Sequence, residues 1–443
     1  MEVIPVDASD LGNQAYVVTD GARAVAIDPP RPVAEVVELV RSRGLRLELV
    51  VDTHLHNDHV SGGPELAQET GAVYAVCADE HVRGARGIVD GDRFTIGALT
   101  LTVKDTPGHT QLHQSFIVSE GDACAVFTGG SLLIGTVGRT DLLGAGLAAS
   151  LASAQWSSVR WMLDNLPHDA GVHPTHGFGS FCSSNPCSGT ETTIGAERVA
   201  NPAAHLDCET FVKTLLAGFG EYPSYFAHMA TRNRLGLQPA SYRDPVPTLA
   251  DGDIGELATR MWVIDVRPRA TFADGHVPGT VNAGLDGPFA TYVGWTMPWE
   301  APFALVASDD AELSRARDLL AHIGLDLPVG TAVPTPGARS DRLRLASFGE
   351  LATEWTDDVT VIDVRRTEEW DAGHLEGALH VPVHRLDETC LPEGTLWLHC
   401  AAGYRAVLGA SLLRRAGREV VAIDDMWSSA ADVGLRTCRA DAP

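Results

Sequence analysis

Leu47-Glu48-Leu49-Val50-Val51-Asp52-Thr53-His54-Leu55-His56-Asn57-Asp58-His59 joins an apolar run to a cluster of imidazoles and carboxylates. The run reads as a buried strand. The His-x-His-x-Asp-His stretch after it packs four potential metal ligands into six residues. Imidazole nitrogens and carboxylate oxygens are the natural ligands of Zn, Fe or Mn. A loop leaving a strand end can aim several of them at one point, so the stretch reads as a metal site.

Around it, residues 1–200 alternate short β-like runs with helical stretches. The runs are Ala15–Thr19, Ala24–Ile27, Leu47–Val51, Leu99–Val103, Ser115–Val118 and Ala123–Phe127. Pro32–Arg43 and Leu147–Leu166 are the clearest helices. This mixture predicts a layered α/β domain whose sheet is covered by helices. Residues 201–245 read as helices with tight turns, and Pro239, Pro245 and Pro247 mark a linker.

The remainder contains a repeat. Val263-Ile264-Asp265-Val266-Arg267, followed by Gly275-His276, recurs 98 residues later as Val361-Ile362-Asp363-Val364-Arg365, followed by Gly373-His374. Two small parallel α/β units are therefore expected, over 247–333 and 345–438, joined by the Pro/Gly-rich stretch Thr331–Arg339. The N-terminal domain with its helical extension and linker spans 1–246.

The chain has 443 residues and a formal net charge of −25, with Lys104 and Lys213 as its only lysines. Such a surface repels nucleic-acid phosphates and anionic lipid, so no nucleic acid and no membrane is expected as a partner. The start, Met1-Glu2-Val3-Ile4-Pro5, lacks the basic region of a signal peptide. Eight scattered cysteines fit free thiols in a reducing cytoplasm.

Further ligand candidates lie in Thr106-Pro107-Gly108-His109-Thr110 and Val172-His173-Pro174-Thr175-His176-Gly177. Together with the His54–His59 stretch, these segments resemble the metallo-β-lactamase superfamily over roughly residues 1–200. The resemblance implies an αββα sandwich, one metal site at His54, His56 and His109, and a second at Asp58, His59 and His176. The superfamily's next ligand is an aspartate after Thr-Gly, but Phe127-Thr128-Gly129-Gly130-Ser131 puts Gly130 there. A pair of cations about 3.5–4 Å apart usually needs a bridging carboxylate. One metal is therefore expected rather than two, on three histidines with open positions. His113 and the segment Gly138-Arg139-Thr140-Asp141 are expected behind the ligands, with Asp141 a remote substitute for the missing carboxylate. His173 is expected to be structural, as are Cys182 and Cys187, for which a redox pair is the alternative.

In the second repeat, Leu396-Trp397-Leu398-His399 reads as a strand, then Cys400-Ala401-Ala402-Gly403-Tyr404-Arg405, then a helix over Ala406–Arg415. A cysteine at a strand-to-helix turn faces unpaired amides and the positive end of a helix dipole, which favour the nucleophilic thiolate. Arg405 adds positive charge. Both repeats resemble rhodanese domains, and Cys400 matches that family's persulfide-forming nucleophile. Four residues separate Cys400 from Arg405, as in sulfurtransferases, whereas the related phosphatases need one more. The first repeat has Ser308-Asp309-Asp310-Ala311 at the corresponding place and is expected to be catalytically silent.

A metallo-β-lactamase domain followed by two rhodanese domains is similar to persulfide dioxygenase–rhodanese fusions. The similarity implies oxidation of a low-molecular-weight persulfide, such as glutathione persulfide, at a non-haem Fe(II) site, and sulfane-sulfur transfer through Cys400. It also implies, weakly, a homo-oligomer. The alternatives are a zinc-dependent, glyoxalase-II-like thioesterase with a sulfurtransferase module, and a sulfur-binding or sensing protein with a degenerate metal site.

Overall fold

A computed structural model describes residues 1–184, 189–356 and 358–439. The chain divides into two compact units, Met1–Ala240 with Ala321–Gly324, and Ser241–Leu320 with the chain from Leu325 onward.

The first unit is a four-layer sandwich. One six-stranded sheet runs in sequence order through Glu2–Ala8, Asn13–Thr19, Arg23–Ile27, Arg46–Val51, Val73–Cys77 and Arg86–Ile88. The other has the order Thr192–Thr193, Gly171–Pro174, Ala123–Gly129, Gln114–Glu120, Leu99–Asp105 and Arg93–Ile96. Alternation decides the packing, because successive strand residues face opposite sides of a sheet. Tyr16, Val18, Leu49 and Val51 face Leu101, Val103, Phe116 and Phe127 in the core between the sheets. The intervening Val17 and Val50, joined by Leu47 across a register shift in its strand, pack outward with Val36, Val40 and Leu66 of the helices Ala34–Ser42 and Gly63–Thr70. Across the second sheet lies the helix Ala145–Asn165, which buries Ala152, Val159, Met162 and Leu163. Both faces of the central strands are covered, which is why they read as continuous apolar runs.

Strands Leu99–Asp105 and Ala123–Gly129 are both antiparallel to Gln114–Glu120, and Gly171–Pro174 is parallel to Ala123–Gly129. Three C-terminal strand ends of the second sheet therefore share one edge. The loops carrying His109, Gly130 and His176 all leave from it.

The second unit holds two parallel sheets. One has the order Val281–Asn282, Trp262–Asp265, Phe303–Val306, Thr331–Ala332. The other has the order Arg344–Ala346, Val420–Ile423, Thr395–His399, Val359–Asp363, Leu379–His380. Thr331–Ala332, read from sequence as the start of a linker, is the edge strand of the first of these, held against Leu305 and Val306. Where the repeated motif ends each sheet's strand, one geometry appears twice. Arg267 grips Asp265 with Nε–Oδ1 at 2.8 Å and Nη2–Oδ2 at 2.5 Å. Arg365 grips Asp363 at 2.9 and 2.6 Å. In each case Nη2 also donates to the carbonyl of the motif glycine, Gly275 at 3.0 Å and Gly373 at 2.6 Å.

Asp363 and Arg365 are buried. Removing one partner of a buried pair strands the other charge at a cost of about 3–5 kcal/mol. Asp363→Ala is expected to lower the unfolding free energy of the second unit by that amount in urea titrations of the full chain. A loss below about 1 kcal/mol would show that water reaches the pair.

Candidate metal centre and thiol loop

Asp28 follows strand Arg23–Ile27 in a left-handed backbone conformation, with φ of 50°. Its buried carboxylate accepts the Thr53 N–H at 2.6 Å, the Thr53 hydroxyl at 2.8 Å and the Thr175 hydroxyl. One carboxylate thus clamps the loop that starts at Thr53 to the loop that carries His176. Burial opposes the charge on Asp28, but His56 and these donors outweigh it and hold the carboxyl well below the usual carboxylate range.

Three histidines converge from three loops. Ligand nitrogens of His54, His109 and His176 lie within 4.8 Å of one another, and all three side chains are buried. The hydrogen bonds fix their tautomers. Thr53 spends its hydroxyl proton on Asp28, so its oxygen accepts from His54 Nδ1 at 2.9 Å. His109 Nδ1 donates to the Arg139 carbonyl at 2.8 Å, and His176 Nδ1 donates to Asn13 Oδ1 at 2.9 Å. All three Nε2 lone pairs are left facing inward, the form in which imidazole binds a metal. His109 Nε2 is buried without a hydrogen-bond partner among the described residues. His54 and His176 approach each other Nε2 to Nε2 at 3.4 Å. Burial, reinforced by the neighbouring imidazoles, pushes His54 and His109 well below the ordinary histidine range. Burial brings His176 down to about 4. Neutral donors at this spacing fit a metal ion.

The sequence-based partition of ligands differs from this arrangement. His176 groups with His54 and His109, while the ring of His56 lies 4.2 Å from that of His54. His56 forms a second group with Asp58 and His176, and a third with Asp28 and Asp52. Burial would push His56 down, but Asp28, Asp52 and Asp58 outweigh it and raise it to about 9. His59 stacks on His56 with ring centroids 4.1 Å apart, and its Nδ1 lies 3.1 Å from Asp58 Oδ1. Asp58 also accepts from Asn13 Nδ2 at 2.7 Å. His56 Nε2 lies 3.3 Å from Asp28 Oδ1, while Nδ1 of His56 and Nε2 of His59 are buried without a hydrogen-bond partner among the described residues.

Gly130 stands directly beside the triad. A Cβ built on it would fall 2.1 Å from His109 Cδ2 and 2.7 Å from Nε2, so the His109 ring fills the room a side chain there would need. Gln155, from the long helix, holds both loops. Its Oε1 accepts the His109 N–H at 2.7 Å, and its Nε2 donates to the Gly130 and Ser131 carbonyls at 3.2 and 2.6 Å. His113 accepts the Gly130 N–H at 3.1 Å and meets Thr106 Oγ1 at 2.9 Å through its other nitrogen, which leaves it no lone pair for a metal. Asp141 has both oxygens on Arg139, at 2.7 and 2.8 Å. His173 stacks on Phe127 at 5.0 Å and meets Tyr16 edge-on at 5.4 Å. Cys182 is buried, and burial followed by the Asp58 charge holds its thiol well above the usual range. Cys187 lies outside the described residues.

The sequence reading missed Asp28, Asn13, Gln155 and Asn233. Asn233 Nδ2 donates to the His56 and His59 carbonyls at 3.0 and 2.9 Å. The one available signal was Asp28 itself, an acidic residue ending an apolar strand.

In the second unit, Cys400 is buried at the end of strand Thr395–His399, and helix Tyr404–Arg415 begins four residues later. Gly403, at φ 88°, makes the turn between them, and a Cβ there would fall 2.0 Å from Asp424 Oδ1. Arg405 is held in a bidentate pair by Glu369, whose second contact measures 2.8 Å. Burial would raise Glu369, but Arg405 holds it well below the usual carboxylate range. The guanidinium is thus fixed in place, with much of its charge balanced. In the first repeat, Asp309 accepts the Glu312 N–H at 2.9 Å and caps the helix Asp310–His322 where the thiol loop would begin.

The Metallo-beta-lactamase superfamily matches residues 9–172, and the Rhodanese-like domain family matches residues 349–429. Persulfide dioxygenase ETHE1, mitochondrial, of Homo sapiens is 34% identical over 200 residues, which span 44% of this chain and 72% of that protein. A hydroxyacylglutathione hydrolase of Fuscovulum blasticum is 38% identical over 132 residues, 29% of this chain and 51% of that protein. The crystal structure of a metallo-beta-lactamase from Staphylococcus aureus subsp. aureus COL shares the fold, with a TM-score of 0.67 and 24% identity over 76% of this chain and 99% of that one. The chain belongs to the metallo-beta-lactamase superfamily, as a relative of the persulfide dioxygenases with a rhodanese-like domain fused C-terminally.

Proposed function

We propose that the protein oxidises a low-molecular-weight persulfide, such as glutathione persulfide, at a mononuclear Fe(II) site and transfers sulfane sulfur through Cys400. One observation carries this reading: an inward-facing three-imidazole set and a thiol at a strand-to-helix turn occur in one chain. The 34% identity to a persulfide dioxygenase supports it. The domains proposed are 1–246, 247–333 as a cysteine-less rhodanese-like copy, and 345–438 as the active one. The identical Asp–Arg grips support the pairing of the last two. The unpaired thiols among the described residues agree with a reducing compartment, the cytoplasm.

His54, His109 and His176 would hold the metal, with Asp58, His56 and His59 alongside. Iron would supply redox chemistry with O₂, whereas zinc would supply a Lewis acid. The chain's own part is orientation. Thr53, Asn13 and the Arg139 carbonyl hold the Nδ1 protons, and Asp28 and Gln155 hold the loops. A single ion is favoured because Gly130 offers no bridging carboxylate. At the other site, the Cys400 thiolate attacks the sulfane sulfur of the donor. The donor's S–S bond breaks, the donor leaves as a thiolate, and Cys400 keeps the sulfur as Cys–S–SH until an acceptor thiolate removes it. The identity to hydroxyacylglutathione hydrolases supports a second reading, a zinc thioesterase with the same sulfurtransferase module.

Iron-loaded protein is expected to consume O₂ with glutathione persulfide. No consumption, together with thioester turnover by the zinc form, would favour the second reading. Cys400→Ser is expected to abolish thiosulfate:cyanide sulfur transfer, and retained transfer would remove Cys400 from the mechanism. Gly130→Asp is expected to displace His109, lose about 1–3 kcal/mol of stability, and bind no additional metal by elemental analysis. Two ions per chain in the wild-type protein by the same elemental analysis would contradict the single-ion reading.

A further inference from the structure

Outside both sites, the second unit carries another thiol paired with a base. Strand Thr437–Cys438 runs antiparallel to His374–Leu375 in a register that sets Cys438 opposite His374. Cys438 Sγ lies 3.1 Å from His374 Nε2. His374 Nδ1 lies 3.0 Å from the Trp370 carbonyl, which can only accept. That nitrogen therefore carries the ring proton, and Nε2 offers its lone pair to the thiol. The imidazole cannot swing away easily: it is buried and stacks 3.5 Å from Trp370, with the planes 7° apart. Cys438 itself is exposed.

The first repeat holds the same histidine in the same way and gives it a different partner. His276 Nδ1 lies 3.0 Å from the Phe272 carbonyl, and the ring stacks 3.9 Å from Phe272. The residue opposite it, across an isolated antiparallel bridge, is Asp341, with Oδ2 at 3.5 Å from Nε2. The fixed imidazole belongs to both repeats, whereas the thiol facing it belongs to the second alone.

We propose that Cys438 and His374 form a second nucleophilic thiol site, one that accepts sulfane sulfur from a small soluble persulfide; the donor class rests on the function proposed above. His374 Nε2 takes the thiol proton as Cys438 sulfur attacks the outer sulfur of RS–SH. The RS–S bond breaks, the leaving thiolate recovers the proton from His374 as RSH, and Cys438 becomes Cys–S–SH. No oxidant or reductant is consumed.

Cys390, the other exposed cysteine among the described residues, is the internal control. Full-length protein is treated with limiting iodoacetamide at neutral pH and mapped by peptide mass spectrometry. Cys438 is expected to react about tenfold faster than Cys390, and the ratio should collapse in His374→Phe, which keeps an aromatic ring on Trp370. Thermal melting verifies that variant's fold. Equal rates, or a ratio that survives His374→Phe in folded protein, would overturn the activation. Next, Cys400→Ser protein is exposed to glutathione persulfide, and a gain of one sulfur on the Cys438 peptide is expected. A fast-alkylating Cys438 that gains no sulfur would overturn its role as an acceptor. Failure of the main reading looks different: Cys400 of the wild type then gains no sulfur, while the alkylation ratio at Cys438 persists.

Discussion

A single buried carboxylate does more to shape the first unit than any ligand does. Asp28 sits at the end of a central strand, and its oxygens collect three donors from Thr53 and Thr175. A buried carboxylate is costly unless its lone pairs are filled. The two loops therefore satisfy Asp28 and are themselves placed by it. Thr53 then passes the constraint on, because a hydroxyl that donates to Asp28 can only accept from His54. The orientation of one ligand ring follows from a hydrogen bond two residues removed from any metal.

The same logic runs through the rest of the cluster. Each imidazole of the inward-facing set is tied by its Nδ1 to a different part of the fold: Thr53, the Arg139 carbonyl, or Asn13. Gln155 adds a cross-brace between the His109 and Gly130 loops. The bonds made directly by these imidazoles are neutral, while the nearby charge is concentrated on His56 and the acids around it. This separation explains why adjacent histidines of one short stretch behave so differently, His54 far below the ordinary range and His56 above it.

Much of this was legible in the chain. The strand leading into His54–His59, the loops at His109 and His176, and the 98-residue repeat all appear in the sequence, because each is local or periodic. The expected helix Leu147–Leu166 corresponds to Ala145–Asn165, a shift of one or two residues at each end. The partners of the site residues were not legible. Gln155 meets His109 from 46 residues away, and Glu369 meets Arg405 from 36. Such contacts depend on how layers stack, and no spacing rule encodes them. Ligand grouping was illegible for the same reason: sequence shows which residues can bind, but hydrogen bonds to distant partners orient the rings.

The clamp has a consequence for assembly in time. Asp28 meets Thr175 across 147 positions of chain, and Asn13 meets His176 across 163. Contacts this distant carry a larger loop-closure entropy than local ones and need both sheets in place. The imidazole set therefore cannot exist in a half-folded chain. Stoichiometric occupancy of the centre would count completed molecules, and a shortfall would measure how much of a preparation has stopped short of the native state.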